Sequence, residues 1–108
     1  MRETNVDAVK ITNQFRSKDG FVYDLRSDGA RLTVAIMPRE HSADIGDWKV
    51  EARSSHGPDA VVVTAWGGSK LDVLREVGKS WASKATEHGL PNFDWEAVAK
   101  ALKDVRAI

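Results

Sequence analysis

The chain has no cysteine in its 108 residues. Neither a disulfide framework nor a thiolate nucleophile or metal ligand is therefore available to it. It also lacks an excess of either charge: 16 basic residues face 16 acidic ones. They balance in each half, nine of each sign in residues 1–54 and seven of each in residues 55–108. A general electrostatic grip on nucleic acid or anionic lipid needs a basic excess. The longest apolar stretch, Ala60–Trp66, is far too short to span a bilayer. Met1-Arg2-Glu3-Thr4-Asn5 lacks the apolar core of a signal peptide. These absences predict a soluble, cytoplasmic protein with no membrane partner.

What remains is a balanced globular composition, 42% hydrophobic and 30% charged. The length suits one domain covering residues 1–108, with its sheet in 9–66 and its helices in 69–106. Two similar turns, Arg16-Ser17-Lys18-Asp19-Gly20 and Arg26-Ser27-Asp28-Gly29, sit between alternating apolar runs. An Asp-Gly pair in that setting is a strong hairpin signal, because glycine reaches φ > 0 without a Cβ clash. Val9, Ile11 and Phe15 supply one apolar face, interrupted at Asn13, although a helix is also open for residues 1–15. Phe21, Tyr23 and Leu25 supply the next, then Leu32, Val34 and Ile36 up to Pro38, then Trp48, Val50 and Ala52.

The run Val61–Trp66 is apolar on both faces and reads as a covered strand. In plain sequential order it would be an exposed, uncharged edge, a hazard for pairing with another chain. The expected resolution is an interior position; the alternative is an edge buried by a second copy.

The helical half carries its own punctuation. Ser69 and Asp72 stand in a capping-box relation, and Leu71, Leu74, Val77, Trp81 and Ala85 form one stripe ending at Gly89. Asp94 caps a second helix, with Phe93 and Val98 spaced as a hydrophobic staple and Trp95, Val98, Leu102 and Val105 as its stripe. Gly78 inside the first helix predicts a close approach to a neighbour. The fold class is thus α+β: an antiparallel sheet of four or five strands with two C-terminal amphipathic helices on one face.

Chemistry is thinly signalled. Gly67-Gly68-Ser69-Lys70 joins a strand to a helix N-terminus, a setting that suits phosphate, and makes a possible anion site. It lacks the spacing of a P-loop or a dinucleotide fold. Residues 40–47 gather Glu40, His41, Asp44 and Asp47, but without a calcium or zinc pattern they read as loop surface. The serines have no GxSxG context. No catalytic residue, metal site or cofactor is assigned.

The sheet's outer face is the more promising surface. Alternation places Lys10, Gln14, Arg16, Arg26, Arg31, Lys49 and Arg53 there, with Trp66 among them. Three of the four tryptophans fall on apolar stripes, and Trp66 does not. The preferred expectation is a non-catalytic interaction domain that binds a protein partner or itself, through this face or through residues 61–66. The alternative is single-stranded nucleic acid on Arg16, Arg26, Arg31, Lys49, Arg53 and Trp66, where bases stack on a ring and cations follow the backbone. A phosphate-bearing ligand at residues 67–70 comes third.

Overall fold

A computed structural model describes residues 9–17, 20–27, 29–38, 48–55 and 59–108. Five strands come first, β1 (Lys10–Ser17), β2 (Gly20–Ser27), β3 (Ala30–Pro38), β4 (Trp48–Arg53) and β5 (Val62–Gly67). Two helices follow, α1 (Lys70–His88) and α2 (Trp95–Asp104). The strands form one antiparallel sheet in the order β1-β2-β3-β4-β5. This is the expected α+β class with all five strands present, and residues 10–17 are strand rather than helix.

Each register follows from which face is apolar. Tyr23, Val34, Ala52 and Val63 lie in one row across the sheet, and Phe21, Ile36, Val50 and Ala65 in the next. The two helices cover this face. Val73, Leu74, Val77, Trp81 and Ala85 of α1 join Val98, Ala99 and Leu102 of α2 in one buried cluster with the sheet residues.

The strand order corrects one expectation. Residues 62–67 are not interior: β5 pairs with β4 alone among the described strands and forms an edge. Its continuous apolar character has a different origin. Val63 and Ala65 face the helices, while Val62 and Trp66 on the other face stay 39% and 54% exposed.

A bulge corrects a second. The pairing of β1 with β2 shifts between Ile11 and Asn13, so Thr12 is the extra residue. One inserted residue exchanges the faces of everything beyond it. Ile11 packs on the helix side opposite Leu25, but Phe15 pairs with Val22 on the open side and is 40% exposed. Gln14 and Arg16 move to the helix side, opposite Tyr23 and Phe21.

Asp19 and Asp28 lie outside the described residues. Gly29 has φ 82°, the left-handed conformation for which glycine is suited. Gly20 has no such requirement and already pairs within the ladder, opposite Ser17. A Cβ there would collide with the Ile36 carbonyl oxygen and lie 3.0 Å from the Met37 Cα. Close approach of β3, not turn geometry, accounts for this glycine.

The helices begin and end where their caps place them. The Ser69 hydroxyl accepts from the Asp72 amide, and Gly89 closes α1 at φ 66°. The Asp94 carboxylate accepts from the Glu96 and Ala97 amides. However, α2 stops at Asp104, one residue short of Val105, which is 41% exposed rather than part of the stripe. Arg106 then takes φ 62°, and the Ala107 amide donates back to the Leu102 carbonyl. That turn drives Ala107 into the core.

Helix–helix contact is aromatic. Trp81, Phe93 and Trp95 meet edge to face with centroids 6.3–6.5 Å apart. Gly78 makes room for this: a Cβ on it would sit 2.7 Å from Cγ of Trp95. Gly78→Ala therefore has an unusual expected sign. In an open helix alanine gains about 1 kcal/mol over glycine. Here overpacking against an indole should cost about 1–3 kcal/mol and outweigh that gain. A denaturant titration in which Gly78→Ala is more stable than the parent would refute the close fit.

Tyr23 supplies a second test, because it is the chain's only tyrosine. Burial pushes its phenol above the usual 10.0, since desolvation disfavours the phenolate. An acid with a raised pKa in the native state contributes stability below its unfolded pKa. That contribution is lost as pH rises through the folded value. Tyrosinate absorbance should appear only above about pH 10, and Tyr23→Phe should flatten the loss of stability beyond that pH. An identical alkaline decline in both proteins would exclude the phenol as its source.

Candidate functional site

The uncovered face of the sheet is built by alternate residues of all five strands. One row runs Phe15, Val22, Ala35, Glu51 and Thr64, and the next runs Asp24, Thr33, Arg53 and Val62. Thr33 and Ala35 are buried at the centre although no helix covers them. They floor a small hollow of about 150 Å³ walled by Phe15, Val22, Glu51 and Arg53. Charge there is largely neutralised. The Arg53 guanidinium lies 4.0 Å from the Glu51 carboxylate, and the Thr33 hydroxyl donates to the Asp24 carboxylate at 3.0 Å.

Five of the six residues expected on this surface are on it: Arg26, Arg31, Lys49, Arg53 and Trp66. Arg16 is not. The Thr12 bulge puts it on the helix side, where its guanidinium lies 5.4 Å from the ring centre of Phe21. The basic residues also separate into two groups. Lys10, Arg26 and Arg31 share one rung at the β1–β3 end, while Lys49 pairs with Trp66 and Arg53 with Val62 at the other side. The exposed rings lie on the two opposite edge strands, Phe15 on β1 and Trp66 on β5.

The edge at β5 has a defined neighbourhood. Helix α1 packs against β4 and β5, leaving a trough of about 380 Å³ between the strand and the helix. Val62, Val63 and Thr64 form one wall, and Ser80, Ser83 and Lys84 form the other. The helix side of the trough is thus mostly small and polar, and the strand side is backbone and β-branched side chains.

Three of the residues at 67–70 have structural roles. Gly67 is the last residue of β5, and a Cβ on it would meet Cγ2 of Val73 at 2.8 Å, so strand-to-helix packing explains it. The Ser69 hydroxyl is used as the cap, and Asp72 adds an acid to the same first turn. Lys70 points elsewhere: its ammonium lies 4.2 Å from the ring centre of Trp48. His41, His56 and the acidic residues 40–47 lie outside the described residues. His88 is in the last turn of α1, where its charged form complements the helix dipole.

Among the described residues no helix is long and apolar enough to cross a membrane. The chain matches no protein family, no curated protein and no solved structure. Any function must therefore be argued from its surfaces.

Proposed function

We propose that the chain is a small interaction domain that joins a second copy of itself along β5. The observation that carries this reading is the exposed edge. β5 has six residues with no charge and no proline, and no other described strand covers its outer side. Such an edge presents a row of backbone donors and acceptors to any extended chain. The trough beside α1 gives that chain room, as expected for recognition by strand addition.

A second copy is the natural occupant, because antiparallel pairing about a two-fold axis lets one strand meet itself. In a register centred on Thr64, Val62 lies opposite the partner's Trp66, on the open face. Both side chains are already exposed, so pairing would cover apolar surface that the monomer leaves in water. The absence of cysteine suits a reducing, cytoplasmic setting for such a domain.

Light scattering across a dilution series tests the idea. The parent should fall from dimer to monomer as it is diluted. Val62→Lys should be monomeric throughout, with stability within about 0.5 kcal/mol of the parent because the site is a surface one. A parent that is monomeric at every concentration, or a Val62→Lys protein that still dimerises, would overturn self-pairing. A monomeric parent would leave a strand from a different protein as the occupant to seek.

One observation favours single-stranded nucleic acid as a second reading: Lys10, Arg26 and Arg31 stand side by side on one rung. Like charges directly opposite each other disfavour pairing unless something compensates them. The exposed rings weigh against it, because stacked bases need neighbouring platforms and Phe15 and Trp66 sit on opposite edges. We expect labelled DNA and RNA oligonucleotides to bind no more tightly than about micromolar even at low salt. Tighter binding that falls steeply with salt, and that Arg26→Glu with Arg31→Glu abolishes, would establish the nucleic-acid reading instead.

A further inference from the structure

A further hollow is on neither of these surfaces. It is a groove of about 570 Å³ on the helix side of the sheet, beyond the part that the helices cover. Its floor is aromatic, made by Phe21, Tyr23 and Trp48. Its rim carries Arg16, Lys70 and Arg106, and no described carboxylate lines it. Three cations without a described acid stand out on a chain whose charges cancel.

These cations come from three separate parts of the chain. The Thr12 bulge delivers Arg16 from β1, the start of α1 delivers Lys70, and the turn after α2 delivers Arg106. Two of them rest on the aromatic floor, Arg16 over Phe21 at 5.4 Å and Lys70 over Trp48 at 4.2 Å. Cation–π contact holds a charge over a ring without neutralising it. Arg106 is the only described non-glycine residue with positive φ, a conformation that L-residues enter at a cost. Strain of this kind concentrates at functional sites. Tyr23 adds a phenol, neutral at about pH 7 as any ordinary tyrosine is and further from ionising because of burial, able to donate a hydrogen bond.

We propose that this groove binds a small organic anion with a flat apolar body, the body lying on the aromatic floor and the charged group meeting Arg16, Lys70 and Arg106. The volume is in the range of small-molecule sites, which are mostly apolar with a few placed polar groups. Neither half of the ligand suffices by itself. A bare anion gains nothing from three rings, and a neutral ring makes no use of the three cations on the rim. Guanidinium groups and an ammonium accept carboxylate and phosphate alike, so the charged group can be either.

Four probes separate these possibilities: 2-naphthoate, 2-naphthyl phosphate, the neutral 2-naphthylmethanol and inorganic phosphate. Binding is read by calorimetry and by chemical-shift changes at the Trp48 indole. Either naphthyl anion should bind at least about tenfold more tightly than both the neutral alcohol and inorganic phosphate, about 1.4 kcal/mol. The preferred naphthyl anion identifies the charged group. Arg16→Gln and Lys70→Gln should each weaken it about tenfold without changing the far-ultraviolet circular dichroism. Arg106→Gly gives a sharper contrast: thermal stability should rise as the strained φ is relieved, while anion affinity falls. Equal affinity for the alcohol and the anions would show an apolar hollow only. Failure of every probe to bind, shifts confined to residues outside the groove, or unchanged affinity in all three variants would overturn the proposal.

Discussion

The contact on which the rest depends is the seat of Trp95 against Gly78. The helix-covered face of the sheet is apolar, and α1 packs mainly on its β4–β5 side. α2 reaches across to β1 and is held to α1 by the Trp81–Phe93–Trp95 cluster. An indole can come this near a helix axis only where there is no Cβ, so a residue of poor helix propensity fixes the angle between the helices. The buried Trp81 indole N–H of this cluster has no hydrogen-bond partner among the described residues. The position of α2 in turn sets where the chain leaves it. The Arg106 turn, the burial of Ala107 and the rim of the cationic groove all follow from that exit.

A five-strand meander has two edges, and this chain treats them differently. β1 carries a bulge and the charged side chains Lys10 and Arg16, the usual protections against unwanted pairing. β5 carries neither. If edge exposure were merely tolerated, both edges would be expected to show similar protection. The asymmetry is the physical reason for assigning an interaction to β5 and not to β1. It also explains why residues 62–67 look interior in sequence. Val62 and Trp66 are apolar on a face that has no helix to cover it, which alternation alone reads as a second covered face.

The legible features were those written in local chemistry. Ser69, Gly89 and Asp94 mark helix ends through hydrogen bonds and backbone conformations that need only a few neighbouring residues. Of the residues that alternation and helical stripes assign to the core, Tyr23, Leu25, Leu32, Val34, Ile36, Val50, Ala52, Leu74, Val77, Trp81, Ala85, Val98 and Leu102 are buried. Phe21 and Val105 are exposed at the ends of their elements, and Phe15 is exposed on the opposite face. The Thr12 bulge is why. Asn13 breaks the apolar alternation, and its side chain accepts from the Gln14 amide, so the interruption was the one visible trace of a register shift. A single inserted residue then exchanged Phe15 and Arg16 between faces. Strand order was not legible, since period-two patterns describe a strand's faces and not its neighbours. The groove is least legible of all: alternation places Arg16 on the outer face, and Lys70 belongs in sequence to the strand-to-helix turn. Arg106 gave no sequence signal, because an arginine past a helix end does not announce a positive φ.

The two proposed surfaces share almost no structure, which bears on how one small fold could use both. The groove is lined by β1, β2, the ends of β3 and β4, Lys70 and residues 105–107, and by no residue of β5. The edge trough is lined by β5 and the middle of α1. Pairing at β5 would extend the sheet at one side and leave both grooves open at the far sides of a two-fold assembly. Any influence between them would have to pass through β4 or α1. Trp48 at the start of β4 pairs with Gly67 at the end of β5, and Lys70 rests on the Trp48 ring. That one corner, where strand edge, helix start and groove floor meet, is the only short physical route among the described residues by which occupation of one surface could be felt at the other.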